Sequence, residues 1–154
     1  MLAIVGVRLE EISDGNRAAV LALRVAPGQE QFVSSVPESL AEAAEYPHAR
    51  PWYRAIVVDG TPVGFVMVSW NAEPDPPEII GPWFLWKLLI DERYQRRGYG
   101  AEVVTQIAAA NKALEQVGFL LVSAGLTWCL ENPKRSAAAG YDVSDVQKMF
   151  LKLA

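Results

Sequence analysis

The stretch Leu88-Leu89-Ile90-Asp91-Glu92-Arg93-Tyr94-Gln95-Arg96-Arg97-Gly98-Tyr99-Gly100 constrains this chain more than any other. It starts as the end of an apolar strand and passes through a short charged turn. Two glycines spaced one apart then lead into a helix-like run near Ala101. Glycines at such a junction let the backbone turn sharply and approach a ligand closely. The first amides of the helix have no intrahelical acceptor, so they are donors for an anion such as a pyrophosphate. Arg96 and Arg97 add positive charge beside them. No Lys-Ser/Thr pair follows the glycines, which excludes a nucleotide P-loop.

The flanks give the turn its setting. Over residues 83–90, alternation puts Trp83, Leu85, Lys87 and Leu89 on one face and Phe84, Trp86, Leu88 and Ile90 on the other. Both faces are mainly apolar, as in a central strand covered on both sides. Lys87 is the exception and needs a wet edge or an acidic partner. Beyond the turn, Val103, Ile107, Ala110, Leu114 and Val117 recur at helical spacing. They predict a helix of about 17 residues stopped at Gly118, then a short apolar strand over residues 119–122. This β–α–β unit carries the glycine turn at the carboxyl end of its first strand, where open sheets bind ligands.

Upstream, residues 4–10 read as a first strand. Ser13 or Asp14 then caps a helix over residues 16–25, with Ala19, Leu21 (or Leu23) and Val25 inward, ended by Pro27-Gly28. A second helix opens near Pro37, with Ser35 or Val36 at its boundary, and closes at Tyr46-Pro47. Residues 52–58 and 61–70 predict a hairpin about Asp59-Gly60. Residues 71–77 form a proline-rich acidic connection with Glu73 and Asp75, and Glu78 stands just beyond. Closing strands are expected around residues 142–146 and 148–153.

Gln95, Gly98 and Gly100 fill the pattern Gln/Arg-x-x-Gly-x-Gly/Ala, and the segment resembles the acetyl-CoA signature of the GNAT superfamily of N-acetyltransferases. The run from Phe84 to Gln95 resembles the strand and turn ahead of that signature in the spermidine/spermine branch. Gln29 stands three residues before Phe32-Val33, and Ser39-Leu40-Ala41 follow. This resembles the run that, in the same branch, joins the first two helices and lines the acceptor end of the site. The resemblance implies an α/β architecture, the GNAT fold. Its central sheet is mixed and mostly antiparallel, with about six or seven twisted strands flanked by about four helices, in a single N-acetyltransferase domain over residues 1–154.

It also implies a reaction: transfer of an acetyl group from acetyl-CoA to a primary amine of a small molecule, a polyamine among the candidates, with coenzyme A as product. The pyrophosphate falls to amides of Gln95, Arg96, Arg97, Gly98, Tyr99, Gly100 and Ala101, the thioester to backbone groups around Leu89 and Ile90, and Asn132 joins the cofactor set. Phe32, Glu38, Glu42, Trp70 and Trp83 are the acceptor-site candidates. The amine must lose its proton to a carboxylate among Glu38, Glu42, Glu73, Asp75 and Glu78, with Glu78 taken as the catalytic one.

The last third departs from the family pattern. Members continue with an asparagine-containing loop and a short helix ending Phe-Tyr-x-x-x-Gly-Phe, whose tyrosine commonly protonates the departing thiolate. Here Asn132-Pro133 resembles the loop and Gly140-Tyr141 the closing pair, which leaves Arg135 and Ser136 at the Phe-Tyr positions. Serine is shorter and less acidic than tyrosine. Tyr141 supplies the phenol if the loop is shifted, or the thiolate leaves without a side-chain acid, or catalysis is weak or lost. The last option describes an acyl-CoA-sensing relative without turnover.

Charge narrows the partners. The chain has 18 acids and 14 bases, and residues 101–154 hold five of each, so the first hundred residues carry 13 acids against 9 bases. That imbalance argues against nucleic acid and favours a small cationic substrate. The lone Cys129 forms no internal disulfide, which fits a reducing, cytoplasmic setting. No leader pattern or uninterrupted apolar stretch of membrane-spanning length is read from the chain. His48 is the only histidine, so neither a metal site nor a serine–histidine–acid triad is expected. A homodimer is left open.

Overall fold

The computed structural model describes residues 6–70, 83–138, 144, 145 and 148. They fall into two compact units, one up to Val103 and one from Val104 onward. Glu73, Asp75, Glu78, Tyr141 and most of the expected closing strands lie outside the described residues.

The first unit is built on four antiparallel strands in the order β1-β2-β3-β4: β1 Arg8–Glu10, β2 Pro51–Val58, β3 Thr61–Trp70 and β4 Trp83–Ile90. The β2–β3 hairpin turns at Asp59 and Gly60, both at positive φ (50° and 75°). Two residues with left-handed φ give the turn whose twist matches antiparallel strands, and Asp-Gly supplies them at low cost. Helix α1 is Arg17–Leu21 and α2 is Val36–Glu45. The latter starts on a reciprocal cap: the Ser35 hydroxyl accepts from the Glu38 amide while the Glu38 carboxylate accepts from the Ser35 amide at 2.9 Å. Pro37 fits because the first turn needs no amide donor there.

The core lies between one sheet face and these helices. Ala55, Val57, Phe65, Met67 and Leu89 from the strands meet Val20, Leu23, Val36 and Ala43. Complete burial of Phe65 alone contributes about 1.5–3 kcal/mol. The first helix is shorter than residues 16–25: it buries Val20 while Ala19 is exposed, and Leu23 is buried just beyond its end. Of the positions expected to point inward, Leu23 is in the core and Leu21 and Val25 pack against it half-buried, while Val20 takes the place expected of Ala19.

One irregularity sets the geometry of β4. Leu89, Leu88 and Lys87 pair with Phe65, Val66 and Met67, but Val68 pairs with Leu85, so Trp86 is an extra residue in β4. Such a bulge reverses the parity of the strand ahead of it. Leu85 therefore shares a face with Leu88, not with Lys87 and Leu89 as strict alternation predicts. Within the described residues β4 also ends the sheet, rather than lying centrally as its apolar faces suggest.

Helix α3, Tyr99–Glu131, begins in the first unit and continues through the second, where α4, Pro133–Ala138, follows it. The expected stop at Gly118 and strand over residues 119–122 are not observed; both lie inside α3. A glycine costs a helix only about 1 kcal/mol relative to alanine, and the neighbouring helix-forming residues outweigh it. The first proline after Pro82 is Pro133, which lacks the amide a continuing helix would need. Without that strand there is no parallel crossover among the described residues, and the sheet has four strands there instead of six or seven. The helical stripe is buried at Val103 and half-buried at Ile107, while Leu114 and Val117 are exposed. Ser144, Asp145 and Lys148 are helical, in the region where closing strands were expected. Continuity also makes α3 long and apolar enough to cross a membrane by length and composition. The helix–strand division read from sequence hid that property.

Candidate functional site

A cleft of about 710 Å³ opens beside the carboxyl end of β4, in the first unit. One wall is the turn and the first residues of α3: Tyr94, Gln95, Arg96, Gly98, Tyr99 and Gly100. The other is the α1–α2 connection, with Val25, Ala26, Pro27, Gln29, Phe32 and Val33, and Leu88 and Ile90 of β4 form the floor between them. The size lies within the usual range for small-molecule sites. Two stretches that sequence reading singled out separately, around Gln29–Phe32 and around Gln95–Gly100, thus face each other. They are tied directly: the Gln95 amide nitrogen donates to Gln29 Oε1 at 2.7 Å and to the Ile90 carbonyl at 2.9 Å.

The turn has the backbone an anion cradle needs. Gly98 has φ +84° and Arg96 φ +62°, both left-handed. A Cβ at Gly98 would meet nothing within 4 Å, so glycine is required there by conformation, not by crowding. At this end of α3 the Glu102 amide donates to the Gly98 carbonyl at 3.0 Å. The amides of Tyr99 and Gly100 precede it and belong to cleft-lining residues. Arg96 lines the cleft. Arg97 instead donates to the Arg93 carbonyl at 3.2 Å and stacks over Tyr94. Ala101 is exposed just beyond the lining, and Leu89 points into the core, leaving Leu88 to face the cleft.

Below the turn sits Asp91, 1% exposed and not singled out from sequence. Its carboxylate accepts from the Arg24 amide at 3.1 Å, from the Arg93 amide at 3.1 Å, and from the Arg93 guanidinium at 2.7 and 3.1 Å. The Glu92 amide returns a bond to the Arg24 carbonyl at 2.8 Å. Burial pushes the Asp91 carboxyl up, but the hydrogen bonds from Arg93 and the two amides, with the guanidinium charge, outweigh it and hold the group below the usual carboxylate range. Its sequence signal was faint: an Asp just after an apolar strand and ahead of a charged turn is a capping position.

Among the described residues, the two candidate acceptor-side carboxylates are already engaged. Glu38 serves the α2 cap, and its Ser35 hydrogen bonds lower its pKa. Glu42 pairs with Lys87 at 3.0 Å and accepts from the Ser34 hydroxyl at 3.1 Å. This is the acidic partner that Lys87 required. Phe32 is 80% exposed at the cleft mouth, and Trp70 is exposed at the end of β3, outside the lining. Trp83 is paired through its backbone to Trp70.

In the second unit, Ser136 is buried and its hydroxyl donates to the Pro133 carbonyl at 3.0 Å. Asn132 ends α3, both its backbone amide (2.9 Å) and its side chain (3.2 Å) donating to the Trp128 carbonyl. Both residues are thus engaged in the α3–α4 junction.

Known proteins share stretches of this chain. It is 32% identical over 98 residues to the spermine/spermidine N(1)-acetyltransferase of Bacillus subtilis (strain 168), covering 64% of this chain and 63% of that protein. It is 30% identical, with the same coverage, to the probable spermine N(1)-acetyltransferase of Bacillus subtilis subsp. natto (strain BEST195). The matched stretch thus spans 63% of the length of these curated relatives. A solved acetyltransferase from Thermus thermophilus superimposes with a TM-score of 0.49 at 19% identity, over 70% of this chain and 71% of that one. The model of the acetyltransferase (GNAT) family matches residues 17–125, a span that holds both walls of the cleft, and the chain belongs to that family.

Proposed function

We propose that this protein transfers an acetyl group from acetyl-CoA to a primary amine of a small cationic molecule, with polyamines as the first candidates. The observation that carries this is the cleft itself. It joins the glycine turn of the acetyl-CoA signature to the Gln29–Phe32 run across a space of small-ligand size. The curated relatives named above, both spermine acetyltransferases by name, support the amine class.

The residues present fit the nucleotide part of acetyl-CoA. Left-handed Arg96 and Gly98 bring successive amides to the head of α3, where the helix end favours anions. Arg96 adds a cationic side chain on the same wall. Acetyl-CoA supplies an activated thioester when bound. The tasks of the chain are to hold the phosphates at residues 95–101, to seat the acyl arm against Leu88 and Ile90, and to exclude water with Val25, Phe32 and Val33. Deprotonation of the amine is assigned to a carboxylate, with Glu78 as the first candidate and Glu73 and Asp75 as alternatives. Tyr141 remains the candidate acid for the thiolate. A reducing, cytoplasmic setting belongs to the same reading.

A second reading, acyl-CoA binding without turnover, draws on Ser136, whose hydroxyl is committed to the Pro133 carbonyl. The two separate in one assay. Coenzyme A release is expected from acetyl-CoA when spermidine, spermine, putrescine or lysine-like amines are added. Tight acetyl-CoA binding with no release across the panel would reject the enzyme and leave the sensor.

Gly98→Val tests the pocket in either case. A β-branched residue at φ +84° is strained. The turn must rearrange, and acetyl-CoA affinity should fall about tenfold, the equivalent of about 1.4 kcal/mol. Unchanged affinity by calorimetry in a folded variant would remove the turn from the site.

A further inference from the structure

The α1–α2 connection, one whole wall of the cleft, is fastened to β4 and its turn at three points. At its start, the Arg24 amide and carbonyl are held by Asp91 and the Glu92 amide. In its middle, Gln29 is held by Gln95. At its end, Lys87 of β4 donates to the Ser34 hydroxyl at 3.0 Å while Glu42 of α2 accepts from both, at 3.2 Å from Lys87 and 3.1 Å from Ser34. Apolar anchoring between these points is limited to the partly buried Val25 and Val33, and Phe32 stands in solvent. The polar ties therefore set where this wall stands.

The third tie differs from the others. Ser34 follows Val33, and Lys87 precedes Leu88; both of those neighbours line the cleft. Lys87 sits just after the β4 bulge, which brings it opposite Met67 on the helix-covered face, where α2 offers Glu42. The Lys87 side chain is only 14% exposed, so its charge needs that partner. We infer that Lys87 is a positioning residue: by bridging Ser34 and Glu42 to β4 it fixes residues 25–33 as the outer wall of the acyl-CoA cleft. This rests on the function proposed above for the identity of the ligand, and not for the existence of the wall.

The test uses the full chain and two readouts, amide hydrogen exchange and acetyl-CoA affinity. Lys87→Met keeps the aliphatic stem and removes the donors. It should speed exchange in residues 25–33 without a comparable change in the β2–β3 hairpin, and weaken acetyl-CoA about tenfold. Lys87→Arg should restore most of both, because it keeps the charge and the donors. Glu42→Gln attacks the same bridge from α2 and stands in if the methionine variant does not fold; it should move both readouts in the same direction. Glu11→Gln, which breaks the remote surface pair with Arg54, should move neither. Parent-like exchange and affinity in folded Lys87→Met and Glu42→Gln would overturn the inference. So would faster exchange spread evenly over β2, β3 and residues 25–33. A parent that binds no acetyl-CoA, while residues 25–33 still loosen in Lys87→Met, would reject the proposed function and sustain the positioning role.

Discussion

Gly64→Ala should be among the most damaging single substitutions in the first unit, destabilising it by about 3 kcal/mol. Gly64 lies in β3, paired to Ile56 of β2 and Ile90 of β4. Its backbone is ordinary extended strand, so the problem is space. A Cβ would sit inside contact distance of the Leu89 carbonyl oxygen, 2.9 Å from Ile90 Cδ1 and 3.0 Å from Ile56 Cδ1. The isoleucine tips can rotate away, but the carbonyl is backbone and belongs to the β3–β4 ladder. Relief requires β4 to move outward just where it delivers Leu88 and Ile90 to the cleft floor. The melting temperature should drop by about 10 °C for a domain of this size, and acetyl-CoA affinity should fall with it. Gly64→Val adds two methyls at the same point and should prevent folding. An alanine variant melting within 2 °C of the parent (about 1 kcal/mol or less) would show that the β3–β4 spacing is not what the register implies.

Asp91→Ala should have the second largest effect. Removing the carboxylate strips an acceptor from the Arg24 and Arg93 amides and from the Arg93 guanidinium. The guanidinium is 65% exposed and can return to water, so most of the penalty falls on the backbone donors around a buried position. About 2–3 kcal/mol is the expected loss at neutral pH. The effect should depend on pH in a defined sense. The folded-state pKa of Asp91 lies below its unfolded value. Its contribution is therefore complete above the unfolded value of about 3.9 and is lost as pH falls from there through the folded pKa. Parent and variant stabilities, measured by urea unfolding, should be furthest apart at pH 7 and converge below about pH 4. A gap that stays constant to the lowest pH at which both fold would mean that ionised Asp91 contributes nothing. The variant should also release the start of the α1–α2 connection and weaken acetyl-CoA binding.

Much of the local structure was legible before any coordinates. Asp59-Gly60 between two apolar strands specified its hairpin because the left-handed turn residues stand in the chain itself. Pro37, with Ser35 or Val36 at the boundary, marked the start of α2, and the structure settles on Ser35, with Glu38 three residues on as the cap's partner and not an acceptor-site group. Gln95, Gly98 and Gly100 line the cleft, and of the wet edge or acidic partner that Lys87 called for, the structure supplies the acidic partner. The errors fall where a local signal competed with something stronger. Gly118 is a weak helix breaker, and α3 runs past it to Glu131, two residues short of Pro133. Strict alternation through residues 83–90 gave the wrong partners for Leu85, because the extra residue at Trp86 is defined by register with β3.

By itself the sequence determined the elements whose cause is local: a tight turn, a capped helix, a glycine cradle with its neighbouring arginines. What only the tertiary structure decided is how these are joined. Gln29 meets Gln95 across 66 residues, Arg24 meets Asp91 across 67, and Ser34 and Glu42 meet Lys87 across 53 and 45. No periodicity or motif encodes such pairs, because each depends on the twist of the sheet, the bulge in β4 and the packing of α1 and α2 on its face. Burial then converts these distant contacts into constraints: a side chain withdrawn from water must keep its partner, and the wall of the cleft is held where those partners stand.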